Sequence, residues 1–430
     1  NKLLNKTTTL KSKRELVSNK IDAWATHPIL GYLMFLGVLL VIFQSVFTLA
    51  SYPMDWIENG FSLLSEWLTA ILPDGWLKKL IINGLVAGIA GVVVFVPQIA
   101  ILFFFMGLLE DTGYMARVSF IMDKMLRGLG LSGKSVVPLL SGAACAIPAI
   151  MSTRNIENWK DRLITIMVTP LMSCSARLPV YTLLISMVIP SDKFVGIVSV
   201  QALLMLGMYV LGTVAALVAA VVFKWIIKHD VPSYFIMELP VYHAPRWKNI
   251  WMNMWQKSRS FVAEAGKVIL IVSIVLWFLA SYGPQPEQTF SIQESEHLDE
   301  SYAGYFGKAI EPAIKPIGFN WKIGIALITS FAAREVFVGT MSTIYSVGDE
   351  ENFDQIRDKM RKDMLANGDQ VYSIGVVLSL MVFYAFAMQC MGTLAVVYKE
   401  TKSWKWPAIQ FVYMTVLAYI GSWITFNLFG

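Results

Sequence analysis

The stretch LIINGLVAGIAGVVVFVPQIAILFFFMGLL, residues 80–109, runs for thirty positions without a charged side chain. A helix of about 20 apolar residues is long enough to cross the hydrocarbon core of a bilayer. Apolar runs of spanning length recur at residues 30–50, 194–227, 262–280, 323–345, 374–397 and 408–429. The sequence therefore predicts an all-α, polytopic helical membrane protein whose first partner is the lipid bilayer.

The composition agrees with this fold class. Hydrophobic residues make up 56% and charged residues 15% of the 430 positions, whereas soluble domains average roughly 25% charged residues. The formal net charge is +5. Its distribution is explained by membrane topology, so it gives no reason to expect a nucleic-acid partner.

The loops between apolar runs predict the orientation of the chain, because Lys and Arg collect on the cytoplasmic side. Residues 1–26 carry six Lys or Arg, and residues 224–259 are also basic, which places both segments in the cytoplasm. Residues 51–76 contain four acidic residues and residues 281–307 contain five, without Lys or Arg, which places them outside. The Trp and Leu spacing in residues 51–76 also predicts a helix lying at the membrane interface.

The string GLGLSGKS, residues 128–135, fits the phosphate-binding pattern G-x-x-x-x-G-K-[ST]. A true phosphate loop follows a buried strand, yet the preceding YMARVSFIMDKMLR has apolar residues at helical spacing. The string NKID, residues 19–22, which resembles a guanine-reading motif, precedes the loop instead of following it. We therefore interpret GLGLSGKS as a connecting turn and Lys134 as an interfacial anchor, and we expect no nucleotide to bind there.

An internal repeat supports that interpretation. GLSGK and SGAAC, residues 130–134 and 141–145, align with GFNWK and SFAAR, residues 318–322 and 330–334. Further along, MSCSARLPV, beginning at Met172, aligns with MQCMGTLAV, beginning at Met388. Transporters often place the substrate between two such copies. The sequence leaves open whether the copies are parallel or inverted.

The three cysteines lie in apolar segments next to helix-breaking residues. Cys145 precedes Pro148 by three residues, Cys174 lies between Pro170 and Pro179, and Cys390 is the repeat partner of Cys174. A proline leaves backbone carbonyls without partners, so each site could present a thiol and carbonyls to an ion. The alternative is that the cysteines are small apolar core residues. As ligands, Cys145, Cys174 and Cys390 would suit a soft or borderline divalent metal better than Mg²⁺ or Ca²⁺.

Acidic residues at the ends of apolar runs are further candidates for an ion path. Glu110 and Asp111 close the run at residues 80–109, and Glu335 follows Arg334 in SFAARE. Charged groups at membrane depth are expensive. The alternative interpretation is a helix end whose charge is compensated locally.

Several long strings together resemble the membrane domain of FeoB-type ferrous iron transporters. They are LLEDTGYMAR, GKSVVPLLSGAACAIPAIMSTR, DRLITIMVTPLMSCSARLPVY, MELPVY, SFAAREVFVGT and QCMGTLAVVYKETKSWKW. The resemblance implies uptake of Fe²⁺ across the bacterial cytoplasmic (inner) membrane through two gate regions, and it implies a permease and not an enzyme. The gate motifs map to Cys145 with Pro148, and to Cys174 with Arg177 and Pro179. The usual Gly-x-Gly-Cys reads Gly-Ala-Ala-Cys here, so the chain departs from the family pattern at Ala144, where it loses the backbone freedom of a glycine.

The resemblance also implies partners. Such proteins carry a cytosolic GTPase domain, so GTP and Mg²⁺ would act only through that domain, which this chain is expected to lack. Small accessory proteins of the same system and a homo-oligomer are further expected partners. The alternatives are a gate-type transporter of another divalent cation or of nucleosides, and a membrane-embedded NTPase that uses GLGLSGKS.

On this basis the chain divides into five parts. They are a basic cytoplasmic segment (1–26), a first transmembrane helix with an interfacial helix (27–76), gate module 1 (77–228), a cytoplasmic connection (229–260), and gate module 2 with the C-terminal helices (261–430). Each gate module is expected to contain proline-broken helices.

Overall fold

The structure is a computed structural model, and most of the backbone that it describes is helical. It describes residues 22, 27, 30–73, 75–189, 194–195, 198–227, 242–283, 301–331, 334, 336–345, 353–364, 370–388 and 390–430. Two short strands, β1 (Phe194–Val195) and β2 (Val198–Ser199), pair antiparallel. The all-α prediction is confirmed.

Within the described residues, six helical segments are long and apolar enough to cross a membrane. They are Leu30–Ile71, Trp76–Asp111, Trp159–Val188, Val200–Ile226, Ile374–Thr401 and Lys405–Phe429. The chain is therefore a multi-pass membrane protein, as its apolar runs predicted.

The N-terminal helices lead up to the first repeat. They are α1 (Leu30–Ile71), α2 (Trp76–Lys79), a π-helical stretch (Leu80–Val86), α3 (Ala87–Val93), α4 (Val96–Asp111) and α5 (Tyr114–Gly128). We expected a separate interfacial helix in residues 51–76, whereas α1 continues through Pro53 to Ile71. At about 1.5 Å per residue, α1 is roughly twice as long as a bilayer core of about 30 Å is thick.

Each repeat contains a helical hairpin followed by a broken membrane-crossing helix. Hairpin 1 consists of α6 (Val136–Ala144) and α7 (Ala146–Ser152), and broken helix 1 of α8 (Trp159–Val168) and α9 (Leu178–Val188). After α10 (Val200–Ile226), α11 (Trp247–Ser281) and α12 (Tyr302–Ile314), hairpin 2 consists of α13 (Trp321–Thr329) and α14 (Val336–Ile344). Following α15 (Phe353–Lys362), broken helix 2 consists of α16 (Ile374–Phe386) and α17 (Met391–Thr401), and α18 (Lys405–Phe429) ends the fold.

Local sequence explains where several of these helices begin. A Ser or Asn side chain accepts a hydrogen bond from a backbone N–H of the first turn, which satisfies one of the donors that a helix start leaves unpaired. The capping residues are Asn158, Ser199, Ser301, Asn320 and Ser373. Asn158, which begins broken helix 1, and Ser373, which begins broken helix 2, occupy corresponding positions in the two repeats.

The two ends of hairpin 1 lie on one face of the molecule, which we call face A. The Lys134 ammonium before α6 is 2.8 Å from the Glu157 carboxylate after α7. Glu400, at the end of broken helix 2, accepts hydrogen bonds from Arg154 and Arg162 beside the same base. Broken helix 1 therefore starts on face A, and broken helix 2 ends there.

The two ends of hairpin 2 lie on the opposite face, face B. The Lys322 ammonium is 2.7 Å from the Asp363 carboxylate, which also accepts a hydrogen bond from the Tyr345 hydroxyl at 2.5 Å. Arg361 donates to the carbonyl of Met187 at the end of broken helix 1. Because broken helix 1 runs from face A to face B, the hairpins enter from opposite faces, and the two repeats are inverted.

GLGLSGKS is the C-terminal turn of α5, so a helix and not a strand leads into it. Gly130 has a φ of 84°, and the Leu131 N–H donates back to the Leu126 carbonyl at 3.1 Å. The repeat copy has the same geometry, with Gly318 at a φ of 85° and the Phe319 N–H bonded to the Ile314 carbonyl at 3.2 Å. This arrangement is a glycine C-cap, which confirms the connecting turn.

Candidate functional site

Cys145 lies at the tip of hairpin 1, where α6 gives way to α7. Its backbone is extended, with φ −156° and ψ 132°, and the Ser175 hydroxyl donates to the neighbouring Ala144 carbonyl at 2.9 Å. Pro148 lies in the first turn of α7, where a missing N–H removes no intrahelical bond. The break is therefore produced by the extended residue Cys145, and Pro148 helps to start the second helix instead of breaking one.

Cys174 lies in the interruption of broken helix 1. Its backbone is extended, with φ −94° and ψ 166°, between the 3₁₀ turns Thr169–Leu171 and Ser175–Arg177. Pro170 lies at the start of the first of these turns. Pro179 lies at the start of α9. The predicted proline-flanked break is confirmed, with each proline again at a helix start.

Cys390 lies at the equivalent interruption of broken helix 2. Its backbone is also extended, with φ −154° and ψ 101°. The next residue, Met391, donates its N–H to the Phe331 carbonyl at the tip of hairpin 2, at 3.1 Å. In both repeats a hydrogen bond thus joins the break of the crossing helix to the tip of its own hairpin.

The three cysteines line one cavity of about 90 Å³, enough for a few waters or a partly hydrated metal ion. Apolar groups such as Phe95, Leu102 and Phe261 form much of its wall. The polar lining residues are Gln98, Cys145, Cys174, Ser175, Arg334, Cys390 and Thr393. Parts of the chain as far apart as residues 98 and 393 therefore converge on one chamber.

None of the three cysteines is part of a disulfide. Among the residues that the structure describes, no three His, Cys, Asp or Glu side chains are grouped so as to hold a metal ion. The cysteines are thus brought into one cavity without forming a closed three-ligand site. A role for Cys145, Cys174 and Cys390 as ligands stays a prediction.

Arg177 is fully buried but does not line the cavity. Its guanidinium donates to the carbonyls of Pro170 at 3.1 Å, Leu171 at 3.3 Å and Met172 at 3.0 Å. These carbonyls belong to the interrupted part of broken helix 1, where ladder partners are missing. In the structure Arg177 supports the backbone around Cys174.

Two of the acidic candidates, Glu110 and Asp111, do not line the cavity. The Asp111 carboxylate pairs with the Arg246 guanidinium at 2.7 Å and also accepts the Arg246 N–H at 2.6 Å. Glu110 accepts a hydrogen bond from Asn155 at 3.3 Å. Glu335 lies outside the described residues. For Asp111, the contacts are those of a charge-compensated helix end, and a role of these acids in an ion path stays a prediction.

Two charged networks were not foreseen from the sequence. Arg117 pairs with Asp22 at 2.8 Å. Glu400 pairs with Arg154 at 2.5 Å and Arg162 at 2.7 Å. The partners in both networks are far apart in sequence, so local charge patterns carry no signal for them.

Residues 92–188 and 262–404, together more than half of the chain, match the family model described as Gate, nucleoside recognition. Residues 205–257 match the model described as ferrous iron transport protein B C terminus. The chain belongs to the FeoB family. The two Gate-matching stretches contain hairpin 1 with broken helix 1 and hairpin 2 with broken helix 2.

Curated relatives agree with this assignment. The Fe(2+) transporter FeoB of Leptospira interrogans is 49% identical over 418 residues, which cover 96% of this chain and 60% of that protein. The Campylobacter jejuni Fe(2+) transporter FeoB is 34% identical, with coverage of 99% and 67%. A Porphyromonas gingivalis protein named as a fusion of Fe(2+) transport protein A and FeoB is 38% identical, with coverage of 96% and 51%. The chain thus spans about 60% of the length of the Leptospira relative.

Proposed function

We propose that this FeoB-family chain forms the path by which Fe²⁺ enters the cell across the bacterial cytoplasmic membrane. The observation that carries the proposal is the cavity in which Cys145, Cys174 and Cys390 meet. The three residues come from a hairpin tip and from both broken helices, and all have extended backbones. Relatives named as Fe(2+) transporters support iron as the substrate.

The chemistry of the lining fits a borderline divalent metal. Thiolate sulfur suits such ions better than it suits Mg²⁺ or Ca²⁺. The remaining wall is largely apolar, so an entering ion would exchange hydration water for a small number of protein ligands. A site with few ligands can release its ion again, as a transport path requires.

The permease role leaves energy coupling to a partner. We propose that a cytosolic GTPase domain, with GTP and Mg²⁺ bound to it, biases the conformation of this membrane part, which is itself not an enzyme. Face A, with its arginine and lysine ion pairs, would be the cytoplasmic side. The Porphyromonas gingivalis fusion protein supports an accessory partner, and a homo-oligomer belongs to the same proposal.

Uptake of radioactive Fe²⁺ by cells or vesicles, normalised to folded protein in the membrane, tests the function. Ser matches Cys in size but is a poorer ligand for a borderline metal. We therefore expect Cys145→Ser and Cys174→Ser each to lower uptake about tenfold or more while insertion stays normal. Full uptake by the double mutant would refute the role of these thiols and leave Glu110, Asp111 and Glu335 as candidates.

A nucleoside is the second candidate substrate, because the matching family model is described as nucleoside recognition. The same vesicles, given a radiolabelled nucleoside in place of iron, distinguish the two. We expect no nucleoside uptake above that of empty vesicles, because a nucleoside path has no need of three thiols. Nucleoside uptake that is unchanged in the double serine mutant would favour the second candidate.

A further inference from the structure

Arg334 is the one charged side chain among the described residues that line the cysteine cavity. It is 5% exposed, and a guanidinium keeps its charge in proteins. No carboxylate among the described residues forms an ion pair with it. A fixed positive charge therefore sits in the chamber that we assign to a divalent cation.

The guanidinium is bonded to the broken end of α16. Its Nη1 donates to the Tyr384 carbonyl at 3.2 Å, and its Nη2 donates to the Ala387 carbonyl at 3.0 Å. Carbonyls at a helix C-terminus lack ladder partners and carry negative partial charge. In transporters, such helix ends are places where cations are coordinated. Arg334 thus occupies a position that suits a cation.

In the first repeat, the carbonyls that the helix break leaves without partners are satisfied without a charge in the cavity. At the interruption of broken helix 1, Arg177 satisfies carbonyls from within the same segment and does not line the chamber. The Ile166 and Met167 carbonyls accept from Gln410 of α18 at 3.1 Å and 3.0 Å. Only the second broken helix is capped by a cavity-lining cation.

Arg334 adds a polar contact between hairpin 2 and α16, which also meet where the Phe337 ring packs on the Tyr384 ring with centroids 5.0 Å apart. Arg334 belongs to the tip of hairpin 2, whereas the carbonyls that it caps belong to α16. In the repeat alignment its counterpart is Cys145 at the tip of hairpin 1. The tip of hairpin 1 therefore contributes a thiol to the cavity, and the tip of hairpin 2 contributes a cation.

We propose that Arg334 is a tethered cation that competes with the transported metal ion for the cavity and for the carbonyls at the end of α16. The proposal rests on the proposed function. While the guanidinium caps α16, a divalent ion is repelled by its charge and finds those carbonyls already occupied. Entry of the metal requires Arg334 to release them, which couples cavity filling to separation of the hairpin 2 tip from α16.

The first test measures Co²⁺ binding to the purified full chain under reducing conditions, followed by the thiolate-to-cobalt absorption band. Arg334→Gln keeps a hydrogen-bond donor but removes the charge, so it should bind Co²⁺ about tenfold or more tightly than wild type. Arg334→Lys keeps the charge and should stay close to wild type. Arg177→Gln is the matched control, because its guanidinium also caps broken-helix carbonyls but lies outside the cavity, and it should not tighten binding.

Equal or weaker Co²⁺ binding by folded Arg334→Gln would overturn the proposal, as would equal tightening by Arg177→Gln. A second test needs no variant, since all three cysteines of the chain line the cavity. We compare the modification rates of wild-type thiols by cationic and anionic methanethiosulfonates of similar size, each relative to a free thiol in solution. The anionic reagent should modify the thiols about tenfold faster than the cationic reagent. An equal or faster rate for the cationic reagent would contradict a fixed positive charge in the cavity.

These readouts separate the inference from the proposed function. Absence of Fe²⁺ uptake by wild type, together with tighter Co²⁺ binding by Arg334→Gln, would remove the transport assignment but keep Arg334 as a competitor for cations. Normal uptake with unchanged Co²⁺ binding by Arg334→Gln would keep transport and reduce Arg334 to a structural helix cap.

Discussion

Gly130 shows how one residue decides between two interpretations of the same string. Its φ of 84° is unfavourable for any residue with a Cβ, and a Cβ there would lie 2.7 Å from side-chain atoms of Lys224. The glycine is needed to end α5 and not to cradle a phosphate. The same φ at Gly318, where the sequence has no phosphate-loop pattern, makes the structural origin plain.

Gly130→Ala should therefore lower the free energy of unfolding by about 1–2 kcal/mol from backbone strain, with a further loss from the contact with Lys224. The measurement is a denaturation curve of the purified chain in detergent. Gly128→Ala is the control within the same string, because a Cβ at that position meets no atom within 4 Å. Equal stability of the two variants would contradict the C-cap assignment.

Site residues could be predicted from the sequence where their neighbours along the chain determine the local structure. The neighbouring prolines marked the breaks at Cys145 and Cys174, although these prolines start helices instead of breaking them, and the repeat located Cys390. The repeat alignment with Cys145 placed Arg334 at a hairpin tip, but it gave no sign that this charged side chain lines the cavity. Its position depends on α16, some fifty residues further along the chain.

At the scale of elements, Glu400 joins the end of broken helix 2 to the base of hairpin 1. Its side chain is 3% exposed, and it accepts charge-assisted hydrogen bonds from Arg154 and Arg162. Bidentate guanidinium–carboxylate contacts are among the stronger polar interactions. Removal of the carboxylate charge would leave two arginines facing each other without a shared negative charge.

Glu400→Gln should destabilise the protein by about 2 kcal/mol, less than the roughly 3–5 kcal/mol of a fully buried pair, because both arginines keep contact with water. The measurement is again the free energy of unfolding in detergent. Lys134→Ala is the comparison, since it also breaks an ion pair at the base of hairpin 1, but its partner Glu157 is 89% exposed. Exposed pairs contribute little, so that variant should melt like wild type and keep Fe²⁺ uptake within about twofold.

Equal destabilisation by the two variants would contradict this ranking.

The pKa of Glu157 is lowered below its ordinary value, mainly by the hydrogen bond that its carboxylate accepts from Lys134. The small stability that this pair adds is therefore present above the ordinary Glu pKa and is lost as the pH falls through the lowered one. The apolar runs predicted membrane-crossing helices, whereas pairs such as Arg154 with Glu400 required the tertiary fold.

For the whole molecule, the contacts decide a question that the sequence left open. Hairpin 1 is closed by Lys134 and Glu157 on face A, and hairpin 2 by Lys322 and Asp363 on face B. The sequence alignment indicates that two segments share a local conformation. It does not show how either segment is oriented in the membrane. Inversion became visible only from contacts between the repeats, such as Arg361 with the Met187 carbonyl.

We expect face A to be the cytoplasmic side. The Glu110 carboxylate at the end of α4 accepts a hydrogen bond from Asn155 at the base of hairpin 1, and α5, which carries Arg117, begins three residues after α4 ends. Asp22, at the end of the basic N-terminal segment, pairs with Arg117, and the Lys and Arg of that segment favour the cytoplasmic side. A cysteine introduced within the first 20 residues should accordingly react with a membrane-impermeant thiol reagent only from the cytoplasm. A cysteine introduced within residues 281–307 should react only from outside the cell.

Inversion makes a sharper prediction for the two hairpin bases. In a background with Cys145, Cys174 and Cys390 replaced by Ser, Glu157→Cys and Met364→Cys each place one exposed thiol beside a hairpin base. A membrane-impermeant maleimide added to intact cells should modify position 364 and leave position 157 untouched until the membrane is opened. If the repeats were parallel, both thiols would react from the same side, and that outcome would refute the inverted arrangement whichever face proved to be cytoplasmic. Reaction of position 157 alone from outside would keep the inversion and reverse the orientation, because the relation between the faces rests on contacts whereas their assignment to compartments rests on charge.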